Sequence, residues 1–362
     1  MEDNKPKIIA YYLPQYYPFP ENNEWWGKGF TEWTNVGKTR PLFKGHYQPK
    51  VPADLGYYDL RLPEIAEQQA ELAKRAGVYG FCYWHYWFGN GKELLDMPFK
   101  RALETGKPDF PFCLGWAAEG WMAKTWNKDS NSGRWLIQQE FPGEEDNLNH
   151  FNQYLKAFKD PRYIKVDGRP FFLLYGLKNF PDIQGFMDQW NRLIKEAGVA
   201  ESFYFVGLAK NMEELKACPG KFDATSVNNL YISSYFNKGI HMKGYRLIER
   251  IMGKIRKRPI MINYREVVNK IWSKDCERED FIPTIIPNWD HTPRSGYNGT
   301  MFYNTTPELW EEMCKSVIGN TMKKKNKIIM LKSWNEWGEG NYMEPDLKYG
   351  TKYIDILAKY AK

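Results

Sequence analysis

Short, almost unbroken apolar runs recur along the 362-residue chain, and stretches with a helical period fill most of the intervals between them. The runs are KIIAYYL (7–13), VYGFCYW (78–84), FPFCLGW (110–116), PFFLLYG (170–176), FYFVGLA (203–209), FDATSV (222–227), IPTIIP (282–287) and KIIMLKS (327–333). Their apolar positions are continuous rather than alternating, which predicts strands covered on both faces, as in parallel sheets. LPEIAEQQAELAKRAG (62–77) predicts a helix with Pro63 at its start, Ile65, Ala66, Gln69, Leu72, Ala73 and Ala76 on one face, and Gly77 as its stop. Further helical periods fall at 148–159, 182–197, 245–255, 261–273, 307–319 and 351–361. Eight strands alternating with helices in a chain of this size predict an α/β fold, a (β/α)8 TIM barrel forming one catalytic domain over residues 1–362.

Such a barrel carries its chemistry on the loops that follow the strands' C-terminal ends. Those positions hold Tyr12 and Gln15 at the end of the first run, Trp84, His85 and Tyr86 at the second, and Trp116 and Glu119 at the third. The seventh run is followed by Asn288, Trp289, Asp290 and Arg294, and the eighth by Trp334, Asn335, Trp337 and Glu344. Each group sets an aromatic beside an amide, carboxylate, histidine or arginine, and all are expected to bind substrate. With 15 Trp, 24 Tyr and 21 Phe, aromatics make up 17% of the chain. Trp and Tyr favour surfaces that are half apolar and half wet, and sugar rings present such faces. The aromatic-rich loop 14–61 shows no clear period, and a loop of that length is expected to form a lid or wall of the cleft.

The segment KSWNEWGEGNYMEPD (332–346) crowds acids against stacking aromatics. In a strand, Glu336 and Glu339 would point to opposite faces; in a turn, which Gly338 and Gly340 favour, they share one face. Two neighbouring carboxylates flanked by aromatics suit cleavage of a glycosidic bond, one protonating the leaving oxygen and the other acting as base or nucleophile. A calcium loop would want oxygen ligands at short regular intervals, and Trp337 interrupts them.

SWNEWGEG resembles the N-E-W-x-E-G motif of the endo-α-mannosidases of glycoside hydrolase family 99. YYLPQYYP, GFTEWTNV, YGFCYWHYWF and IPNWDHTPR resemble the WbsX-like polysaccharide-biosynthesis proteins related to that family. The resemblance spans residues 7 to about 346. It implies a (β/α)8 barrel, no metal or other cofactor, and a retaining mechanism acting on α-linked manno- or rhamno-configured glycans. In that mechanism Glu336 would deprotonate the sugar's 2-hydroxyl to give a 1,2-anhydro intermediate, with Glu339 as general acid and then base. Two departures stand out. Gly338 occupies the place where the mannosidases carry His, and Trp116-Ala117-Ala118-Glu119-Gly120-Trp121 replaces the Trp-Ala-Asn-Glu-Asn-Trp of the WbsX-like group, keeping Glu119 but losing both amides.

The remaining features exclude more than they assign. The net charge of +7 is spread along the chain, and the densest basic run, Lys323 to Lys325 with Lys327, reads as a solvated turn; nothing argues for nucleic acid. Five cysteines without a C-x-x-C pair, two of them (Cys82 and Cys113) inside apolar runs, suggest a reducing compartment without disulfides or metal. No signal peptide or membrane span is evident, so a cytoplasmic location is expected, with an oligosaccharide or polysaccharide as partner. No D-x-D occurs, and Glu32 stands where either a phosphate loop or a dinucleotide fingerprint would need glycine. Two rival readings remain: a glycosyltransferase or transglycosylase in surface polysaccharide (lipopolysaccharide/O-antigen) biosynthesis, and a sugar-binding protein without catalysis. The sequence fixes no oligomeric state.

Overall fold

The computed structural model describes residues 5–123, 134–228, 253 and 255–362. Its main sheet contains eight parallel strands: β1 (Lys7–Tyr12), β2 (Gly80–Trp87), β3 (Phe112–Ala117), β4 (Arg169–Tyr175), β5 (Tyr204–Ala209), β6 (Ala224–Val227), β7 (Thr284–Ile285) and β8 (Ile328–Leu331). Around the sheet they run β6, β5, β4, β3, β2, β1, β8, β7. The ring closes where Thr225 N donates to Asp280 O and Ile282 N to Thr225 O, each at 2.7 Å. A helix follows every strand, at Pro63–Ala76, Met97–Thr105, Glu144–Lys159, Ile183–Glu196, Met212–Ala217, Tyr264–Lys270, Pro307–Thr321 and Lys352–Ala361. This is a (β/α)8 TIM barrel. All eight apolar runs are its strands, since side chains on one face fill the interior while those on the other meet the helices.

Four expectations need correction. The loop after β1 contains two short helices, Pro20–Trp26 and Glu32–Gly37, the second capped reciprocally by Thr31 and Thr34; seven and six residues are too short to show a period. The helix at 261–273 is shorter, because Ile260–Asn263 pairs in parallel with Thr300–Tyr303 and Asn263 then caps Tyr264–Lys270. Met97–Thr105 and Met212–Ala217 are helices that the periodicity did not mark. Within the basic run Lys324 is buried, donating from Nζ to the carbonyls of Cys276 and Phe281 at 2.9 and 2.6 Å. The helical period at 245–255 lies mostly outside the described residues. The five cysteines are unpaired, and no helix among the described residues is long and apolar enough to cross a membrane.

Candidate active site

Strand β8 ends at Leu331, and the chain then crosses the mouth of the barrel as a tight hairpin. Asn335–Glu336 pairs antiparallel with Asn341–Tyr342 around a 3-10 turn at Trp337–Glu339. Asn335 fixes this hairpin to β1: its Oδ1 accepts from Leu13 N at 2.7 Å and its Nδ2 donates to Leu13 O at 3.0 Å. Gly340 closes the turn with φ +53°, packed so tightly that a Cβ would lie 2.7 Å from both Asp290 and Lys50. Only glycine meets both demands without strain. Glu336 and Glu339 consequently face one cleft of about 690 Å³.

Arg294 joins the two acids. Its Nη1 lies 2.7 Å from Glu339 Oε1 and 3.9 Å from Glu336 Oε1, so those oxygens are no farther apart than the two distances laid end to end. That limit falls at the bottom edge of the roughly 6.5–9.5 Å separation used by inverting glycosidases. The Nε of Arg294 donates to Glu32 Oε1 at 2.8 Å, and the three carboxylates hold the guanidinium protonated against the effect of its burial. Ser333 Oγ donates to Glu336 Oε2 at 2.8 Å. Burial, followed by the charge of Glu339, pushes Glu336 up to about 7, while Arg294, Lys332 and Ser333 pull the other way. In this arrangement Arg294 lies closer to Glu339, and Glu336 is the acid that keeps its proton to near neutral pH.

The cleft's walls are aromatic and partly unsatisfied. Tyr11 stacks on Trp84 with centroids 4.9 Å apart, and Trp26, Phe30, Tyr86, Trp121, Tyr175 and Trp289 add further aromatic surface. Five lining residues carry buried polar atoms without a hydrogen-bond partner among the described residues: the Tyr11 hydroxyl, both polar atoms of the Asn22 amide, the amide oxygens of Asn35 and Asn228, and Trp289 Nε1. Buried polar groups cost free energy unless a partner arrives, and a polyhydroxylated ligand supplies both donors and acceptors.

A sequence profile described as "Glycosyltransferase WbsX" matches residues 8–357. The chain belongs to this WbsX family. An uncharacterized protein, WxcX, of Xanthomonas campestris pv. campestris strain ATCC 33913 is 31% identical over 351 residues, covering 96% of this chain and 48% of that protein. WxcX of strain B100 matches to the same extent. The WbsX-family chain therefore spans about half the length of the curated relatives it matches. Among solved structures, a glycoside hydrolase-like protein aligns with TM-score 0.62 at 16% identity, over 100% of this chain and 96% of its own. The family 99 endo-alpha-mannosidase of Bacteroides thetaiotaomicron, in complex with bis-tris-propane, aligns with TM-score 0.55 at 17% identity, over 98% and 95%. At such identities the likeness establishes the fold.

Of the residues singled out in the WbsX-family sequence, Gln15, Trp84, Tyr86, Glu119, Trp289, Arg294, Glu336 and Glu339 line the cleft. Glu119, at the rim, is paired with Lys210. The others lie behind it. Tyr12 donates to Gln69 at 2.7 Å in the surrounding helix layer, and His85 packs against His150 with 2.6 Å between their Nε2 atoms. Trp116 donates from Nε1 to Trp87 O at 2.9 Å and packs on Phe186. These three are corrected by parity, because alternate residues of a strand face opposite sides; the cleft takes Tyr11, Trp84, Tyr86 and Ala117 instead. Asp290 is buried and bound by His46, Gln48 and Thr292 at 2.9, 2.7 and 2.6 Å; burial opposes its charge, yet these contacts with Lys50 hold it down at about 2. Asn288 accepts from Asn341 Nδ2 and Tyr342 N, while Trp334, Asn335 and Trp337 are fully buried supports of the hairpin. Glu344 accepts from Trp337 Nε1 and Gln69 Nε2, both at 2.6 Å, and burial pushes it up to about 7.

Sequence reading passed over Tyr11, Glu32, Tyr175, His291 and Lys332, all of which line the cleft. Glu32 and Lys332 sit inside quoted motifs, so their proximity to the acids was the missing signal. Glu32 also accounts for Gly338: a Cβ there would stand 1.5 Å from Glu32 Oε1, leaving no room for the histidine of the mannosidases. Among the described residues no group of three or more His, Cys, Asp or Glu side chains is placed to hold a metal ion.

Proposed function

We propose that this chain, acting as one barrel domain over residues 1–362, is a retaining glycoside hydrolase for α-linked manno- or rhamno-configured glycans. Glu336 is the base for the sugar's 2-hydroxyl and Glu339 the general acid and then base. The observation that carries the reading is the pair of carboxylates bracketed by one Arg294 nitrogen, with Glu336 raised to about 7, in an aromatic cleft at the strands' C-terminal ends. Glu336 takes the 2-hydroxyl proton, O2 bonds to C1 as the bond to the leaving oxygen breaks, and Glu339 gives that oxygen a proton. Water then opens the anhydro ring, losing a proton to Glu339 while Glu336 returns one to O2. The charge pairing of Glu339 with Arg294 means that the proton held near Glu336 must pass to Glu339 as the 2-hydroxyl engages. Trp84, Tyr86 and Trp289 supply stacking faces, and Gln15 and Glu119 polar contacts.

Activity on a panel of aryl α-mannosides and α-rhamnosides tests this. Both Glu336→Gln and Glu339→Gln should lose on the order of a hundredfold or more on poor leaving groups. A good leaving group needs no acid, so it should restore glycosidic cleavage to Glu339→Gln and not to Glu336→Gln. The opposite pattern would exchange the two roles; near-normal turnover by both variants would remove the pair from the mechanism. A second reading, transfer of the sugar to an acceptor in surface-polysaccharide synthesis, is favoured by the family's glycosyltransferase description. Product analysis with an added sugar acceptor separates it from hydrolysis.

A further inference from the structure

The two cations lining the cleft differ in their surroundings. Arg294 is held by Glu32 and Glu339 through direct charged hydrogen bonds. Lys332 is 4% exposed, and its Nζ lies 4.4 Å from the centroid of the Trp289 ring. An indole face attracts an ammonium but accepts none of its three N–H bonds in the ordinary sense. Among the described residues no carboxylate lies within ion-pair distance of this nitrogen and no oxygen accepts from it. The ammonium lines the cleft, so its unused donors are open to an acceptor that enters the cavity.

Its position selects the acceptor. Lys332 follows β8 directly, anchored by its N–H to Ile285 O at 3.0 Å, and the next residue, Ser333, holds Glu336. The charged groups facing the ammonium are Glu339, Glu336 and Arg294. The lining acids Glu32, Glu119, Glu336 and Glu339 outnumber Arg294 and Lys332, so the cavity has no general attraction for an anionic sugar. A single donor beside Glu336 instead suits one oxygen that becomes negative there during reaction.

We propose that Lys332 contacts the substrate, donating from Nζ to the sugar oxygen that Glu336 deprotonates and holding the charge that develops on it. This rests on the reading of Glu336 as base for the 2-hydroxyl. Lys332 keeps its three protons throughout: the 2-hydroxyl proton goes to Glu336, the electron pair of O2 forms the bond to C1, and the leaving oxygen departs with the proton of Glu339.

The test is a binding cycle in the full chain, with Glu339→Gln present to stop turnover. The probes are methyl α-mannoside and methyl α-rhamnoside, whose poor leaving group keeps them intact in this variant, and their 2-deoxy counterparts, titrated calorimetrically. Lys332→Met should weaken the parent glycosides by about tenfold or more, the size of a charged hydrogen bond, and leave the 2-deoxy compounds unchanged. Lys332→Arg should restore much of the difference. In the otherwise native enzyme, Lys332→Met should move the acid limb of kcat/KM to higher pH, since the ammonium no longer favours ionised Glu336. Equal weakening of parent and 2-deoxy probes, or none, overturns the inference and leaves the catalytic pair standing. Failure of all four probes to bind before Lys332 is changed removes both the inference and the 2-hydroxyl chemistry.

Discussion

Glu336 illustrates how one side chain can be costly to the fold and useful to the chemistry. Burial and the neighbouring Glu339 raise it from an ordinary 4.5 to about 7. A carboxyl raised in the folded state binds its proton more tightly there than in the unfolded chain, so folding is penalised as pH rises. The penalty is absent below about 4.5, grows between 4.5 and 7, and is complete above 7. Glu336→Gln removes it: the variant should melt at higher temperature than the native protein at pH 8, and the gap should close towards pH 4.5. A gap that stays constant across that range would show that Glu336 carries no raised value. The same sign governs activity, because a base must be ionised, so kcat/KM should fall as pH drops through about 7. Gly338 belongs to this scale too, its missing side chain being the space that Glu32 fills.

The hairpin after β8 is the element that turns a stretch of sequence into a site, and its geometry depends on brackets from distant parts of the chain. Asn335 clamps Leu13 through both amide atoms, Tyr16 donates to Asn335 O, and Glu344 ties Trp337 to Gln69. Replacing Asn335 with Leu leaves the Leu13 N–H and carbonyl buried without partners. The cost should be about 2–4 kcal/mol in urea unfolding, accompanied by loss of turnover; a loss below about 1 kcal/mol would mean that the hairpin holds without this clamp. The turn itself was legible from Gly338 and Gly340 around the acids. The residues beneath it are harder to assign, because an amide or tryptophan beside a carboxylate looks alike in sequence whether it supports the turn or meets the ligand. Parity has the same effect at the strand ends, where sequence does not distinguish Tyr12, His85 and Trp116 from their inward-facing neighbours.

For the whole molecule, barrel closure between β6 and the approach to β7 makes the cleft a single bowl to which β1, β2, β3 and β4 and the loops after β7 and β8 all contribute. Its reacting groups as proposed are carboxylates, an arginine and a lysine, which implies chemistry independent of a bound metal. Dialysis against EDTA should leave turnover unchanged; loss restored by a divalent ion would overturn that expectation. Because the chain matches only about half of the WxcX proteins, the comparison that bears on it is with that matching half.

The amino-acid order alone determined the eight strands and the alternation that makes a barrel, because continuous apolar runs have few other ways to bury both faces. It also determined the paired acids and their turn, which lie within four residues of one another. Tertiary structure alone decided which side of each strand meets the cleft, that Arg294 and Glu32 converge on the acids from distant parts of the chain, and that Lys332 stands beside them against Trp289 with no carboxylate paired to it among the described residues. Those are facts about distance in space. The strength of a charge interaction, and hence the raised Glu336, follows from separation and burial, neither of which a linear sequence records.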